Sequence, residues 1–378
     1  MAVPRLASVI ASAVLGLAFS AQAADAPLLV RIGHSAPLTG PLAHLGKDNE
    51  NGVRLAIDEL NQRKLVIGGK PVRFLLWSED DMADPATAAA VAQKFVDAKV
   101  NGVIGHLNAG TTIPAARIYS RAGLAQISPS ATTVKYTAQG YNTAFRLMAN
   151  DARQGRVLGE YAVTKLGART IAVIDDRTPY GEGLADEFEK AAKAAGGRII
   201  RREYITDQTT DFTAIINSIK AVKPDLLFYG GADAQAAPIV RQLRNQGLDT
   251  LFLGGDGIHS AAFLKLATDA AEGTVASLPG VPLARMPGGK AFERKFTAKY
   301  GAVQRYAPYC YDAMMVLADA MQRADSVEPA KYLPMLPSTD YAGVTAKVRF
   351  DERGDLRSGA VTLYTVKDGQ WRPLETVW

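Results

Sequence analysis

From Leu29 onward, short apolar runs alternate with stretches whose apolar residues recur every three to four positions. "LVRIGHSAPL" (29–38) and "VRFLLWSEDD" (72–81) read as strands, and Val53, Ala56, Ile57 and Leu60 form one helical stripe between them. Ala88, Val91, Ala92 and Phe95 repeat the stripe ahead of a third strand, "VNGVIGHL" (100–107). The rhythm restarts after residue 150. "TIAVIDD", "RIIRREYI", "DLLFYGG" and "TLFLGGDG" are strands, separated by helices marked by Leu184/Phe188/Ala191/Ala195 and Phe212/Ile215/Ile216/Ile219. Asp211 stands where it can start or cap the latter helix. Strands so continuous in apolar and β-branched residues suit parallel sheets covered on both faces. The alternation is that of an α/β fold, and two series of similar size predict two similar lobes. The tail differs. Helical patterns at 288–300 and 308–323 lead into "AKVRFDERGDLRSGAVTLYTV" (346–366), which reads as a hairpin of two strands around an Asp-Glu-Arg-Gly turn.

The N-terminus changes the picture of where this fold works. Arg5 precedes an apolar run, Leu6–Phe19, too short to span a bilayer, and Ala21-Gln22-Ala23 follows as a small-x-small cleavage site. Residues 1–23 therefore read as a signal peptide, cleaved to leave an exported, soluble chain, and without a cysteine after the run a lipid anchor is not expected. The rest is long enough for two cores, since single cores rarely grow past roughly 250–300 residues. The formal net charge of +5 is spread among acids without forming a tract, so neither nucleic acid nor a membrane surface is an expected partner. The sole cysteine, Cys310, opens an apolar helix in "YAPYCYDAM" and reads as a buried structural thiol in preference to a nucleophile.

Catalytic constellations are missing from the sequence. His34, His44, His106 and His259 lack metal-ligand spacing, so no metal is expected. No serine lies in a Gly-x-Ser-x-Gly elbow. "PYGEGLADEF" (179–188) resembles a phosphate loop but lacks the third glycine, and Asp186 and Glu187, placed in the first turn of the helix, would repel phosphate. The expected protein is not an enzyme and carries no cofactor.

What recurs instead is a set of uncharged strand-to-helix turns. "GHLNAGTTIPAA" (105–116) brings Ala109, Gly110, Thr111 and Thr112 to a helix start, with N–H groups and hydroxyls facing outward, and "ISPSATT" (127–133) brings Ser130 and Thr132 to the next strand end. Such turns either bind a carboxylate or cap their own helices. In the second lobe, Asp256 lies between glycines at the end of "LFLGGDG", where open α/β sheets bind ligands. It is either the partner of an ammonium group or an Asx-turn residue.

The stretches "APLTGPLAHLGKDNENGVRLAIDELN", "VIGHLNAGTTIPAA", "ISPSATT", "DDRTPYGEGLADEF", "FYGGADAQ", "FLGGDG" and "FDERGDL" run in order across nearly the whole chain. Together they resemble the periplasmic branched-chain amino-acid-binding proteins, type I solute receptors of ABC importers. The resemblance implies two doubly wound parallel-sheet lobes joined by a three-stranded hinge: residues 24–150 with 280–357, and 151–279 with 358–378. It implies a monomer in the periplasm that delivers its ligand to an ABC permease.

Carried over by position, the resemblance implies a ligand carboxylate at Ala109, Ser130 and Thr132, and a ligand ammonium at Asp256 near Tyr180. A serine is usual in the family where Ala109 stands, alanine is common at Ser130, and glutamate is frequent at Asp256. The side-chain pocket falls on Leu45, Ala232 and Tyr306. The first two are often aromatic in the family, so the pocket is expected to be larger or to take a bulkier ligand. Both positions of the family's first-lobe disulfide, Met82 and Asn108, have lost their cysteines. The implied ligand is an L-amino acid, branched-chain or otherwise apolar or aromatic. An aromatic or aliphatic carboxylate, a small amide or urea-like solute, and a sensory role on the same fold are the alternatives.

Overall fold

The computed structural model describes Met1 and residues 26–206 and 208–378; the predicted leader otherwise lies outside the described residues. The first series runs β1 (Leu28–Ala36), α1 (Ala43–Gln62), β2 (Val66–Ile67), β3 (Lys70–Asp80), α2 (Pro85–Asp97), β4 (Gly102–Gly105), α3 (Ala109–Arg121), β5 (Gln126–Ser128), α4 (Val134–Ala138) and β6 (Ala144–Arg146). Its six strands form one sheet in the order β2-β3-β1-β4-β5-β6, parallel except for the small β2.

The second series runs α5 (Asp151–Thr164), β7 (Thr170–Asp175), α6 (Pro179–Ala194), β8 (Arg198–Tyr204), α7 (Thr213–Val222), β9 (Leu226–Gly230), α8 (Asp233–Asn245), β10 (Leu251–Gly254), α9 (Ala261–Ala267) and β11 (Val275–Pro279). The chain then returns to the first lobe with α10 (Gly289–Tyr300), α11 (Ala307–Arg323), α12 (Pro329–Tyr332), β12 (Tyr341–Ala342) and β13 (Lys347–Val348). It ends in the second lobe with β14 (Val361–Lys367) and β15 (Gln370–Val377), so the second sheet reads β15-β14-β11-β10-β9-β7-β8. The architecture is two α/β lobes between which the chain passes three times. Strands whose residues are buried on both faces, such as Leu226–Gly230, account for the unbroken apolar runs in the sequence.

The tail corrects one expectation. β13 and β14, which flank the Asp-Glu-Arg-Gly turn, do not pair with each other: β13 pairs with β12, and β14 with β11 and β15. The turn is closed locally, by one bridge from Phe350 to Leu356 and by the N–H groups of Asp351, Gly354 and Arg357, which donate to the carbonyls of Asp355, Asp351 and Arg349. The segment is a crossing between lobes, and its acid has a different task. Asp355 forms a buried ion pair with Arg146, at the end of β6, and accepts from Thr137 Oγ1 (3.0 Å) and Asn150 Nδ2 (3.1 Å). Arg146 also donates to the carbonyls of Ala131 (3.1 Å) and Thr133 (2.6 Å). Two crossings and the loop after β5 are thereby fixed to each other. The true hairpin is β14–β15, turned by Asp368 and Gly369 with φ of 53° and 67°, the left-handed pair that a two-residue turn requires.

Cys310 is buried on α11, and burial raises its thiol well above the ordinary range, in keeping with a structural residue. Asp211 accepts from the Thr213 N–H (2.9 Å) at the start of α7, the role its position predicted.

Candidate functional site

The carboxyl ends of the parallel strands face each other across a cleft, the place where open α/β sheets bind ligands. A cavity of about 370 Å³ lies there, within the roughly 300–1,000 Å³ typical of small-molecule sites. The eight residues that the resemblance places at the ligand line it: Leu45, Ala109, Ser130, Thr132 and Tyr306 from the first lobe, and Tyr180, Ala232 and Asp256 from the second; Thr111 and Thr112 are not among the lining residues.

Asp256 is 2% exposed and is held from both sides of the cleft. Its Oδ1 accepts from Gln154 Nε2 (3.0 Å) and from the Tyr180 hydroxyl (2.8 Å), both in the second lobe. Its Oδ2 accepts from the Tyr306 hydroxyl (2.7 Å), which comes from the first. A carboxylate offers about four acceptor sites, so one on Oδ2 remains for a further donor. Gln154 is itself oriented by Ser277 Oγ, which donates to its Oε1 (2.6 Å). The Asx-turn alternative does not describe this residue.

Tyr180 stands at the second position of α6. Thr178 caps the helix, its Oγ1 accepting from the Gly181 N–H (3.0 Å), and the Tyr180 hydroxyl accepts from the Gly257 N–H (2.7 Å). A Cβ on Gly181 would lie 2.2 Å from Asp176 Oδ1 and 2.4 Å from the Gly230 carbonyl, so only glycine lets this turn pack against β9. Asp186 and Glu187 are not in the first turn, as the sequence reading placed them; the first-turn acid is Glu182. The helix starts at Pro179, five residues before Leu184, where the apolar stripe begins, because Pro fits the first helical position and Thr178 caps it.

The opposite wall is built from backbone. α3 opens at Ala109 without a side-chain cap from Asn108, and the first intrahelical bonds are those of Thr111 (3.3 Å) and Thr112 (2.9 Å) to the Asn108 carbonyl. The Ala109 and Gly110 N–H groups thus precede the ladder at the cavity wall. The hydroxyls do not face outward as expected: Thr111 Oγ1 donates to the Asn108 carbonyl (3.0 Å) and Thr112 Oγ1 to that of His106 (3.2 Å). Short polar side chains at a helix start compete for nearby backbone, which explains the difference. Ser130 Oγ likewise donates to the Leu107 carbonyl (3.2 Å) and accepts from Asn49 Nδ2 (3.2 Å). The Thr132 hydroxyl faces Asp151.

Asp151 forms a buried acidic pair with Asp256. Burial, and then the Asp256 charge, push it up to about 8 despite the Thr132 hydrogen bond. A second contact across the cleft joins His44 Nε2, near the start of α1, to Asp233 Oδ2 at 3.5 Å. Burial alone would raise Asp233, but hydrogen bonds from His44 and Ser260, with the Arg305 charge nearby, hold it below the usual carboxylate range.

Three site residues escaped the sequence reading: Gln154, Asp48 and Arg305. Asp48, buried on α1, accepts from the N–H groups of Gln304 (2.9 Å), Arg305 (2.9 Å), Tyr306 (2.7 Å) and Ala307 (2.9 Å). Burial still raises its carboxyl above the ordinary value. This clamp fixes the segment that carries Tyr306 and Arg305 into the cavity. Arg305 was legible in one respect: a cation before the N-terminus of a helix opposes the helix dipole and so calls for a reason.

The profile of the family described as periplasmic binding protein matches residues 29–370. The leucine-, isoleucine-, valine-, threonine-, and alanine-binding protein of Pseudomonas aeruginosa is 33% identical over 355 residues, covering 94% of this chain and 93% of that one. Leu/Ile/Val-binding protein homolog 1 of Brucella suis is 34% identical, with 90% and 91% covered. Among solved structures, the leucine binding protein LivK of Thermotoga maritima superposes with a TM-score of 0.85 at 26% identity, covering 92% of this chain and 98% of its own. LivJ of Streptococcus pneumoniae, in complex with isoleucine, gives 0.84 at 28% identity, with 93% and 99% covered.

Proposed function

The chain belongs to the periplasmic binding protein family, solute receptors of ABC importers that hold a small molecule between two lobes, and we propose that its solute is an L-amino acid. The observation that carries this reading is Asp256: a buried carboxylate gripped by three donors, with acceptor capacity left toward the cavity. An ammonium group is the donor that a charged, dehydrated carboxylate favours most, because an unpaired buried charge is heavily penalised. At the opposite wall, the Ala109 and Gly110 N–H groups and the loop of Ser130 and Thr132 receive the ligand carboxylate without a cation. With the Ser130 and Thr132 hydroxyls engaged elsewhere, backbone N–H groups are the main donors. The names of the relatives, which specify leucine, isoleucine and valine, support an α-amino acid.

Each lobe then holds one end of a zwitterion, and only the closed form satisfies both. The ligand shifts the hinge equilibrium by its differential affinity for that form. Residues 1–23 are proposed to direct the chain to the periplasm, where the closed monomer meets the permease.

The test is ligand-dependent stabilisation of the mature protein, stripped of carried-over solute by unfolding and refolding. The panel pairs apolar, amide and acidic L-amino acids with their des-amino acids. A ligand at 100 times its dissociation constant adds about 2.7 kcal/mol. Stabilisation by amino acids alone supports the reading; stabilisation by des-amino acids alone overturns it in favour of a carboxylate receptor.

A further inference from the structure

The cleft is bridged at its edge by a pair that titrates. His44, the second residue of α1, sets its Nε2 3.5 Å from Asp233 Oδ2, at the first position of α8 in the other lobe. The residues next to them in sequence, Leu45 and Ala232, line the cavity, so the contact forms beside the ligand's place and parts when the lobes separate.

Both ring nitrogens of His44 face acceptors. Nδ1 stands 3.1 Å from the Pro41 carbonyl, which can only accept, so Nδ1 carries a hydrogen. A neutral ring would then turn the Nε2 lone pair toward the Asp233 carboxylate, whereas an imidazolium donates at both positions. Asp233 is 2% exposed, accepts from Ser260 Oγ and stands in the first turn of α8, whose dipole favours its charge. Two effects oppose a cation on His44: the start of α1, and the Arg305 charge that also faces Asp233. Of the other charges near it on α1, Lys47 is paired with Glu50 (3.0 Å), and Asp48 is taken up by the N–H groups of residues 304–307. The His44 side chain is 28% exposed, so solvent can supply its proton.

We propose that His44 and Asp233 form a proton-dependent latch: closing of the lobes draws a proton onto His44, and acidification of the medium tightens ligand capture. This rests on the reading of the protein as a receptor that closes on its solute, and not on which solute that is. The sign follows from linkage. Opening leaves the ring in water without its carboxylate, so the closed form binds more protons and gains as pH falls.

The experiment is calorimetric titration of the refolded mature protein with L-leucine at pH 5.5, 7 and 8, in buffers of different ionisation heat. Wild type, His44→Gln, His44→Lys and Asp233→Asn are compared, with solution scattering of each unliganded protein at the same pH values. Wild type is expected to bind roughly two- to fivefold more tightly at pH 5.5 than at pH 8, to take up protons on binding at pH 7, and to be more compact at pH 5.5 without ligand. His44→Gln should match wild type at pH 8 and lose all three differences, while His44→Lys should hold the tight, compact form at every pH. Asp151 and Asp312, raised by burial to about 8 and about 6, titrate in every variant, so the difference between wild type and His44→Gln isolates the latch. Equal pH profiles in wild type and His44→Gln overturn the inference. So does a wild-type profile in Asp233→Asn; if that variant does not fold, the two His44 variants decide. If L-leucine binds at no pH, the amino-acid reading is weakened, and scattering alone decides the latch.

Discussion

The Tyr306 hydroxyl of the first lobe donates to Asp256 Oδ2 of the second at 2.7 Å, so the residue assigned to the ligand's ammonium is also a direct link between the lobes. Asp256 takes a second hydroxyl, that of Tyr180, on its other oxygen at 2.8 Å. The two tyrosines aim the carboxylate, one from each side of the cleft.

Removing either hydroxyl deletes a hydrogen bond to a charged group, worth about 1.5–3 kcal/mol. Tyr306→Phe and Tyr180→Phe should each weaken ligand binding roughly 10- to 150-fold by calorimetry. Only Tyr306→Phe should also favour the open form, seen as a larger radius of gyration of the unliganded protein in solution scattering. Affinities within twofold of wild type would remove the tyrosines from the site.

The two glycines of "PYGEG" should behave differently. Gly181→Ala places a Cβ against Asp176 and the Gly230 carbonyl, displacing Tyr180, and should cost stability and affinity together. Gly183→Ala meets nothing closer than Thr133 Oγ1 at 3.9 Å and gains helix propensity of up to about 1 kcal/mol. Urea melts that rank Gly181→Ala at or above Gly183→Ala would contradict the packing described for this turn.

Asp151 makes stability fall with rising pH. Its folded value of about 8 lies above the unfolded value of about 4, so the folded state retains a proton that the unfolded state releases across that window. Asp151→Asn should therefore gain on wild type between pH 5 and pH 9 in denaturant melts. Parallel pH profiles would mean that the Asp151–Asp256 pair carries no such coupling.

His259 acts in the opposite sense. Burial lowers it to about 3, and its ring packs against Tyr364 (4.4 Å) and Trp371 (4.7 Å). Stability from the neutral ring is present above about pH 6.5 and is lost as pH falls toward 3. His34, lowered to about 4 by burial, contributes with the same sign. His259→Phe keeps the ring contacts and should lose less stability than wild type between pH 7 and pH 4; equal losses would contradict the assignment.

The fold was legible because buried parallel strands write themselves as unbroken apolar runs, as in "DLLFYGG" and "TIAVIDD". The position of Asp256 and Tyr180 at the cavity was legible because they follow the ends of β10 and β7, beside glycines that mark a close backbone approach. Asp48 and Gln154 were not. Asp48 reads as a polar position on an amphipathic helix, and only tertiary packing brings it to the N–H groups of residues 304–307. Arg305 carries no motif of its own beside the more conspicuous Tyr306, and the crossing at 351–355 looks like a hairpin in sequence because a turn's local chemistry does not say which strands pair.

The most direct test of the central claim is calorimetric titration of Asp256→Asn with the L-amino acid that binds wild type most tightly. Loss of the carboxylate charge should cost on the order of 3–5 kcal/mol, the range for breaking a buried charge pair, and so weaken binding by roughly 100- to 5,000-fold. A dissociation constant unchanged from wild type would show that Asp256 does not hold the ammonium, and the amino-acid reading would fail with it.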